Sequence, residues 1–437
     1  MSTSRASFLY ERLSSLETVG VKLGLENIKT LLQALRNPES SFFSILIAGT
    51  NGKGSVGAML EIILRRHGFR TGHYSSPHLL DVCERIRVNG NVIPRLDFES
   101  HLSLVFQTVD YLLKEGVLQN TPTYFETLTA LSFSYFRQTK VEFAVVEVGL
   151  GGRFDATNAI SQSLSVITSI DFDHEEFLGK TLSEIAAEKA GILKQNSIVV
   201  TGKLPAEAMQ IVSRVAQDRK CILRSLDDSD LSRLRLENGF PVFEYRPWGE
   251  SFRVNLRGRH QAGNAALALL TCDELRKMDI PIHRHTAQQA LNEVFWPGRL
   301  EMLPAAPPIL LDCAHNPMGA RSLAQFMEDM RWEKTVFLFT AMKDKQIPPM
   351  LAAVWKHVDR IILTRVEPHA RCAALAYLTD ASAGLNSVAE EDTQLAFARA
   401  REYSQKAGLP LVVFGSIYLI GKILRILQPE RLGDPPT

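Results

Sequence analysis

Between Gly49 and Ser55 the chain reads Gly-Thr-Asn-Gly-Lys-Gly-Ser, glycines around one lysine with a hydroxyl residue at the end. Glycines let backbone N–H groups converge on an anion and a lysine adds a full positive charge, so phosphate is the ligand these residues suit. The spacing departs from the usual phosphate loop: two residues separate Gly49 from Gly52, and Gly54 stands between Lys53 and Ser55. Asn51, Gly52, Lys53, Gly54 and Ser55 are the candidate nucleotide contacts; the competing reading is a tight turn with a solvated lysine. Further on, Glu147 ends an apolar run, where a carboxylate calls for a cation or a hydrogen-bond partner. The segment GLGGRFDATN after it lets the backbone pass close to a ligand, with Asp155 and Asn158 able to bond polar ring edges. In LLDCAHNP an apolar run ends in Asp312, His315 and Asn316, at the end of a strand where α/β proteins bind ligands. Arg299 follows a Trp-Pro-Gly turn, from which a guanidinium could reach phosphates.

The elements that would position these groups are legible as apolar runs. SFFSILIA before the glycine loop reads as a strand, and VGAMLEIILRRHG after it as an amphipathic helix closed by Gly68. Strands at VEFAVVEVGL, SLSVITSI and SIVVTG alternate with helices at TYFETLTALSFSYFRQ and TLSEIAAEKAGILK, in which Thr181 and Glu184 can form a capping box. A second alternation follows FWPGRLE, with strands at PPILLDCA, KTVFLFTA, RIILTR and LPLVVFGS and a helix at MGARSLAQFMEDM. The expectation is an α/β protein of two domains: residues 1–296 with a mostly parallel sheet of the P-loop ATPase type, and a smaller Rossmann-like α/β domain at 297–437. Residues 205–258 are assigned to the periphery of the first domain, and the tail LGDPPT is expected to fray.

Composition narrows the class. A chain of 437 residues, 45% hydrophobic, is longer than one core usually grows. Lys and Arg number 49 against 48 Asp and Glu, so no bulk charge points to nucleic acid or an anionic membrane. The five scattered cysteines form no CxxC pair and fit reduced thiols, and neither a signal segment nor a membrane span is read. The expected location is the cytoplasm.

AGTNGKGS resembles the ATP loop of the Mur ligase superfamily, and of its folate-ligase branch in particular. SSPHLLDVCERIRVNG (75–90), TYFETLTAL (123–131), EVGLGGRFDATN (147–158), DFDHEEFLGKTLSEIAAEKAGILK (171–194), PGRLE (297–301) and LDCAHNP (311–317) resemble that branch's blocks in order. The resemblance runs from about residue 23 to residue 423.

It implies an ATP-dependent ligase that joins L-glutamate to dihydropteroate or a reduced folate through an acyl phosphate, acting as a monomer on small molecules. It assigns ATP to the loop together with Asn264, Arg299 and Asp312, and a phosphate- or glutamate-orienting role to His315. Magnesium, expected as two ions, falls to Ser76, Glu147 and His174, although histidine is a soft ligand for a hard ion. Thr123, Tyr124, Phe125, Glu126, Phe154, Asp155 and Ala156 are implied to line a pterin pocket; by pattern alone Phe125 fits a core position equally well. Phe154 stands where bacterial relatives commonly carry leucine. Lys189, which by pattern reads as a solvated helix lysine, is implied to carry a carbamate. A peptidoglycan Mur-type ligase and a nucleotide-driven switch are the alternatives, the former opposed by TYFE and GGRFDATN and the latter by the polar set of the second domain.

Overall fold

Phe43–Ala48 (β1) is apolar on both faces, and accordingly it lies inside a sheet with a parallel neighbour on each side. The computed structural model describes residues 2–19, 24–367 and 371–427; the expected frayed tail falls outside them. The other strands of this sheet are Thr71–Tyr74 (β2), Ile86–Val88 (β3), Asn91–Val92 (β4), Phe143–Glu147 (β5), Leu164–Ile167 (β6), Ile198–Thr201 (β7) and Ile222–Ser225 (β8). Their order is β4-β3-β2-β5-β1-β6-β7-β8, with β3 and β4 added antiparallel at one edge. β1 pairs Ile47 with Glu147 on one side and with Val166 on the other, while β2 pairs Tyr74 with Val146. That register brings the glycine loop, Ser76, Glu147 and the segment after Ile167 to one carboxyl edge. The chain runs from β1 to β2 and β5 on one side and to β6 on the other, so this edge is a topological switch point.

The helices form where the patterns placed them. Lys53–Arg66 starts at Gly52, whose φ of 87° only glycine adopts readily, and it is followed by Gly68 in the same region. Tyr124–Gln138 and Leu182–Ala190 both begin with capping boxes, Thr123 with Glu126 and the expected Thr181 with Glu184.

The chain divides into two compact units, but not by a single cut near Pro297. One unit takes the described residues up to Asp227 with Leu267–Ala290; the other takes Asp228–Ala266 with the described residues from Leu291 on. The assignment of 205–258 to the periphery of the first domain is corrected accordingly. Ala206–Asp218 is a helix and β8 an edge strand of the large sheet, whereas Leu231–Glu237 (β9), Phe240–Tyr245 (β10) and Glu250–Arg253 (β11) form an antiparallel sheet in the second unit. Its buried face is Phe243, Tyr245 and Phe252, and a Cβ on Gly239 would lie 3.0 Å from the Phe326 ring of the same unit. In β9 Leu234 and Leu236 alternate with charged residues, but the strand is mostly exposed and buries none of its residues.

The second unit also holds Glu301–Leu303 (β12), Ile309–Leu311 (β13), Thr335–Phe339 (β14), Val358–Leu363 (β15), Ser387–Ala389 (β16) and Leu411–Phe414 (β17), in the order β12-β13-β17-β14-β15-β16. All neighbours but β12 and β13 are parallel, and Phe337, Phe339 and Phe414 fill the core between sheet and helices. Among the described residues no helix is long and apolar enough to cross a membrane. All five cysteines are free thiols.

Candidate active site

The glycine loop is held from below by the segment that follows β6. Thr50 N donates to Ser169 O at 2.8 Å, and the Thr50 hydroxyl donates to Asp171 O and accepts from Asp171 N, both at 3.0 Å. Asn51 N donates to Ser169 Oγ at 3.0 Å, and Thr168 Oγ1 donates to Asn51 O at 2.6 Å. A Cβ on Gly49 would sit 1.9 Å from Thr168 Oγ1, so this glycine is required by space. Lys53 Nζ lies within the loop, donating to Gly49 O at 2.9 Å and Thr50 O at 3.3 Å. A loop fixed by its own backbone contacts ahead of a helix N-terminus needs little rearrangement to receive a phosphate.

Beside it, Glu147 is buried at the end of β5 and accepts from Ser76 N at 3.3 Å, so two of the three implied metal residues meet. His174, at φ 51°, precedes the short helix Glu175–Leu178, with its Nε2 3.9 Å from Asp173 Oδ1. Among the described residues no three His, Cys, Asp or Glu side chains form a metal cage. A buried carboxylate beside a serine suits magnesium, a hard ion that takes few protein oxygens and keeps several waters.

Lys189 is not a solvated lysine. It is 4% exposed, and its pKa is pushed down to about 7, chiefly by burial and then by the Lys53 charge, with Asp173 acting in the opposite direction. These electrostatics tie Lys189 to Lys53 in the loop and to Asp173 in the segment after β6.

The residues expected to line a pterin pocket divide into two kinds. Tyr124, Phe125 and Phe154 present rings: Phe125 covers Gly149, whose Cβ would lie 2.7 Å from it, and stands 5.8 Å from the Tyr74 ring. The Arg85 guanidinium is 5.4 Å above Tyr124, and Phe154 is 42% exposed with the Arg153 guanidinium 6.0 Å away. Thr123 and Glu126 cap a helix, Thr123 N donating to Glu126 Oε2 at 2.8 Å and Glu126 N to Thr123 Oγ1 at 3.2 Å. Thr-x-x-Glu is a capping-box pattern, the signal that could have shown this. Asp155 is likewise committed to its own loop. One oxygen accepts from Gly149 N and Leu150 N and the other from Thr157 N and Thr157 Oγ1, which fills a carboxylate's capacity. Burial raises its pKa, against those same bonds. Asp155 and Asn158, expected to address ring edges, both bond backbone groups here, Asn158 through Arg153 O and Gly191 O. Ala156 is buried beside them.

In the second unit Asp312 holds the turn that presents Arg299. Its carboxylate accepts from Leu300 N at 2.8 Å and Ala314 N at 2.9 Å; burial raises its pKa, and the Arg299 and His315 charges lower it. His315 Nδ1 lies 2.9 Å from Cys313 O, which fixes the proton on Nδ1 and leaves Nε2 as the acceptor of the neutral ring. His260, missed in the sequence, is exposed and lies next to the Arg299 turn, since a Cβ on Gly258 would lie 2.6 Å from the Leu300 side chain and 2.7 Å from the His260 ring. Asn264, a turn further along the helix His260–Lys277, donates to Gln261 Oε1 at 2.9 Å.

A preformed phosphate loop at the switch point of a parallel sheet, with a second α/β unit carrying its own Arg-Asp-His set, has the build of a Mur-type ligase. Residues 47–272 match the Mur ligase middle domain, and residues 301–426 the C-terminal domain of dihydrofolate synthetase. The chain belongs to the dihydrofolate synthase/folylpolyglutamate synthase family. It is 35% identical over 422 residues to the dihydrofolate synthase/folylpolyglutamate synthase of Bacillus subtilis, covering 94% of this chain and 96% of that one. A folylpolyglutamate synthase of Mycobacterium tuberculosis, solved with ADP and AMPPCP, superposes with a TM-score of 0.90 at 28% identity, covering 99% and 100% of the two chains. A bifunctional folylpolyglutamate synthase/dihydrofolate synthase of Yersinia pestis, solved with AMPPNP and manganese, gives 0.81 at 28% identity, covering 96% and 98%.

Proposed function

We propose that this chain is an ATP-dependent ligase that forms an amide between L-glutamate and dihydropteroate and extends reduced folates with further glutamates, releasing ADP and phosphate. The observation that carries this is the phosphate loop closed around Lys53, clasped to the segment that leads to Lys189. A carboxylate is a poor acyl donor until its oxygen leaves as phosphate. Transfer of the γ-phosphoryl group to the pteroyl carboxylate gives the acyl phosphate; the glutamate amine then adds to its carbonyl carbon, phosphate departs, and the amine proton passes to solvent or a nearby base. Loop amides and Lys53 stabilise charge on the transferring group. Magnesium, when bound, supplies further neutralisation there, and Ser76, Glu147 and His174 are the residues that would hold it. A carbamate on Lys189 would supply an anion for a second ion. Asn264, Arg299 and Asp312 are assigned to ATP, His315 to phosphate or glutamate, and the rings of Tyr124, Phe125 and Phe154 to the pterin. The enzyme is taken to be a monomer of the cytoplasm.

Purified protein is expected to consume ATP only when L-glutamate and a pteroyl acceptor, dihydropteroate or a reduced folate, are both present, measured by coupled ADP release. Steady hydrolysis without either substrate would favour a nucleotide switch; turnover only with folates already carrying glutamate would remove the dihydrofolate synthase half. Glu147→Ala and His174→Ala are each expected to raise the magnesium needed for half-maximal rate at least about tenfold. An unchanged magnesium titration in both would move the metal elsewhere.

A further inference from the structure

The glycine-rich segment and the helix of Lys189 are built as one body. Gly152 has no room for a side chain, since a Cβ would lie 2.8 Å from Glu188 O and 3.0 Å from Lys189 O. At Gly191 a Cβ would fall 2.4 Å from that of Arg153. Arg153 N donates to Glu188 O at 2.9 Å across the same contact. Behind it stands Asn158, 8% exposed, whose Nδ2 donates to Arg153 O at 2.9 Å and to Gly191 O at 3.3 Å. One amide therefore spans both segments. Its orientation is fixed in turn by Lys194, whose Nζ donates to Asn158 Oδ1 at 2.6 Å and to Asn158 O at 2.9 Å.

Lys194 takes no part in the chemistry described above. Burial pushes its pKa down to about 8, helped by the Arg219 and Lys29 charges, and Arg219 itself donates to Gly191 O at 3.2 Å. Gathering cations in a part-buried place is unfavourable. The bonds to Asn158 and to the backbone of 191–193 are the compensation visible at the site.

We infer that Lys194 and Asn158 are positioning residues that keep the Phe154–Ala156 segment in register with the Lys189 helix, so that the pterin wall and the buried lysine form a single rigid piece. The inference rests on the function proposed above. The phosphate loop is clasped separately, by Thr168–Asp171, so loss of the Lys194 clamp acts on one substrate and spares the other.

Because small misplacements at a reacting centre carry large rate penalties, Lys194→Met is expected to raise KM for dihydropteroate at least about tenfold and to lower kcat, with KM for ATP within about twofold. Lys194→Arg, which keeps donors at this place, is expected to recover most of the loss. A residue that only supports folding would lower the melting temperature and the active fraction and leave both KM values alone. That result, or an equal rise in both, overturns the proposal. Should Lys194→Met fail to fold, Asn158→Asp keeps the acceptor for Lys194 while removing both Nδ2 donors, and the same KM split is expected. A substrate-free readout keeps this separate from the ligase reading. In Asn158→Asp the Arg153 and Thr157 amides are expected to exchange with deuterium at least about tenfold faster, while those of Thr50 and Asn51 are unchanged. Unchanged exchange at Arg153 overturns the clamp even if the wild-type chain uses another acid.

Discussion

Lys53→Ala is expected to lower kcat at least about a thousandfold, because a preorganised charge at a transferring phosphoryl group commonly contributes that much. The fold should survive. Lys53 Nζ makes two bonds, to Gly49 O and Thr50 O, and the loop keeps its other clasps through Thr50, Asn51 and Thr168. Losing the pair should shift the melting temperature by only about 2–4 °C, the usual effect of about 1 kcal/mol in a unit of this size. The variant should also change its neighbour. Lys53 is one cause of the depressed Lys189 pKa, so removing its charge lets that amine hold its proton to higher pH. Single-turnover measurements with saturating ATP and a parallel thermal melt check both halves. Activity within about tenfold of wild type would sink the assignment of Lys53 to the transferring phosphate.

How much of this could be read from residues alone depended on whether the signal was local. The phosphate loop was legible because its glycines and lysine are contiguous and stand between an apolar run and an amphipathic one. What fixes the loop was not: Thr50 is clasped by Asp171, more than a hundred residues on, and nothing in either type announces the partner. Thr123, Glu126 and Asp155 show a second limit. A threonine or carboxylate in a motif can serve a ligand or bond backbone N–H groups, and the pattern alone does not announce the backbone bonds these three make. For Lys189 the limit ran the other way, since a helix lysine next to Glu188 patterns as solvated, and only three-dimensional packing shows it buried. The sheet β9–β11 was missed for a related reason: the alternation of Leu234 and Leu236 with charged residues in β9 is short and mostly exposed, and its ladder partners carry what burial there is.

Lys189→Ala is expected to lower turnover at least about a hundredfold, and the cause should be chemical, not structural. The side chain is buried, and burial together with the Lys53 charge holds the amine at a pKa of about 7, where an ordinary lysine would be fully charged. With that value the neutral fraction rises from about one-tenth at pH 6 to about nine-tenths at pH 8. Only the neutral amine can attack carbon dioxide: its lone pair forms the N–C bond, one proton leaves to solvent, and a carbamate anion remains. Such a carbamate would replace a cation beside Lys53 with an anion, and the repulsion that lowers the pKa would become attraction. Wild-type enzyme stripped of carbon dioxide should therefore lose activity and regain it with bicarbonate, faster at pH 8 than at pH 6. Lys189→Ala should show no bicarbonate rescue, while a short-chain carboxylic acid placed in the vacated space should restore part of the rate. Carbon-13 NMR of enzyme equilibrated with labelled bicarbonate gives a readout independent of turnover, a carbamate resonance present in wild type and absent in the variant. A bare amine in wild type together with a fully active alanine variant would reject the modification, and Lys189 would then be a buried lysine whose charge Asp173 favours.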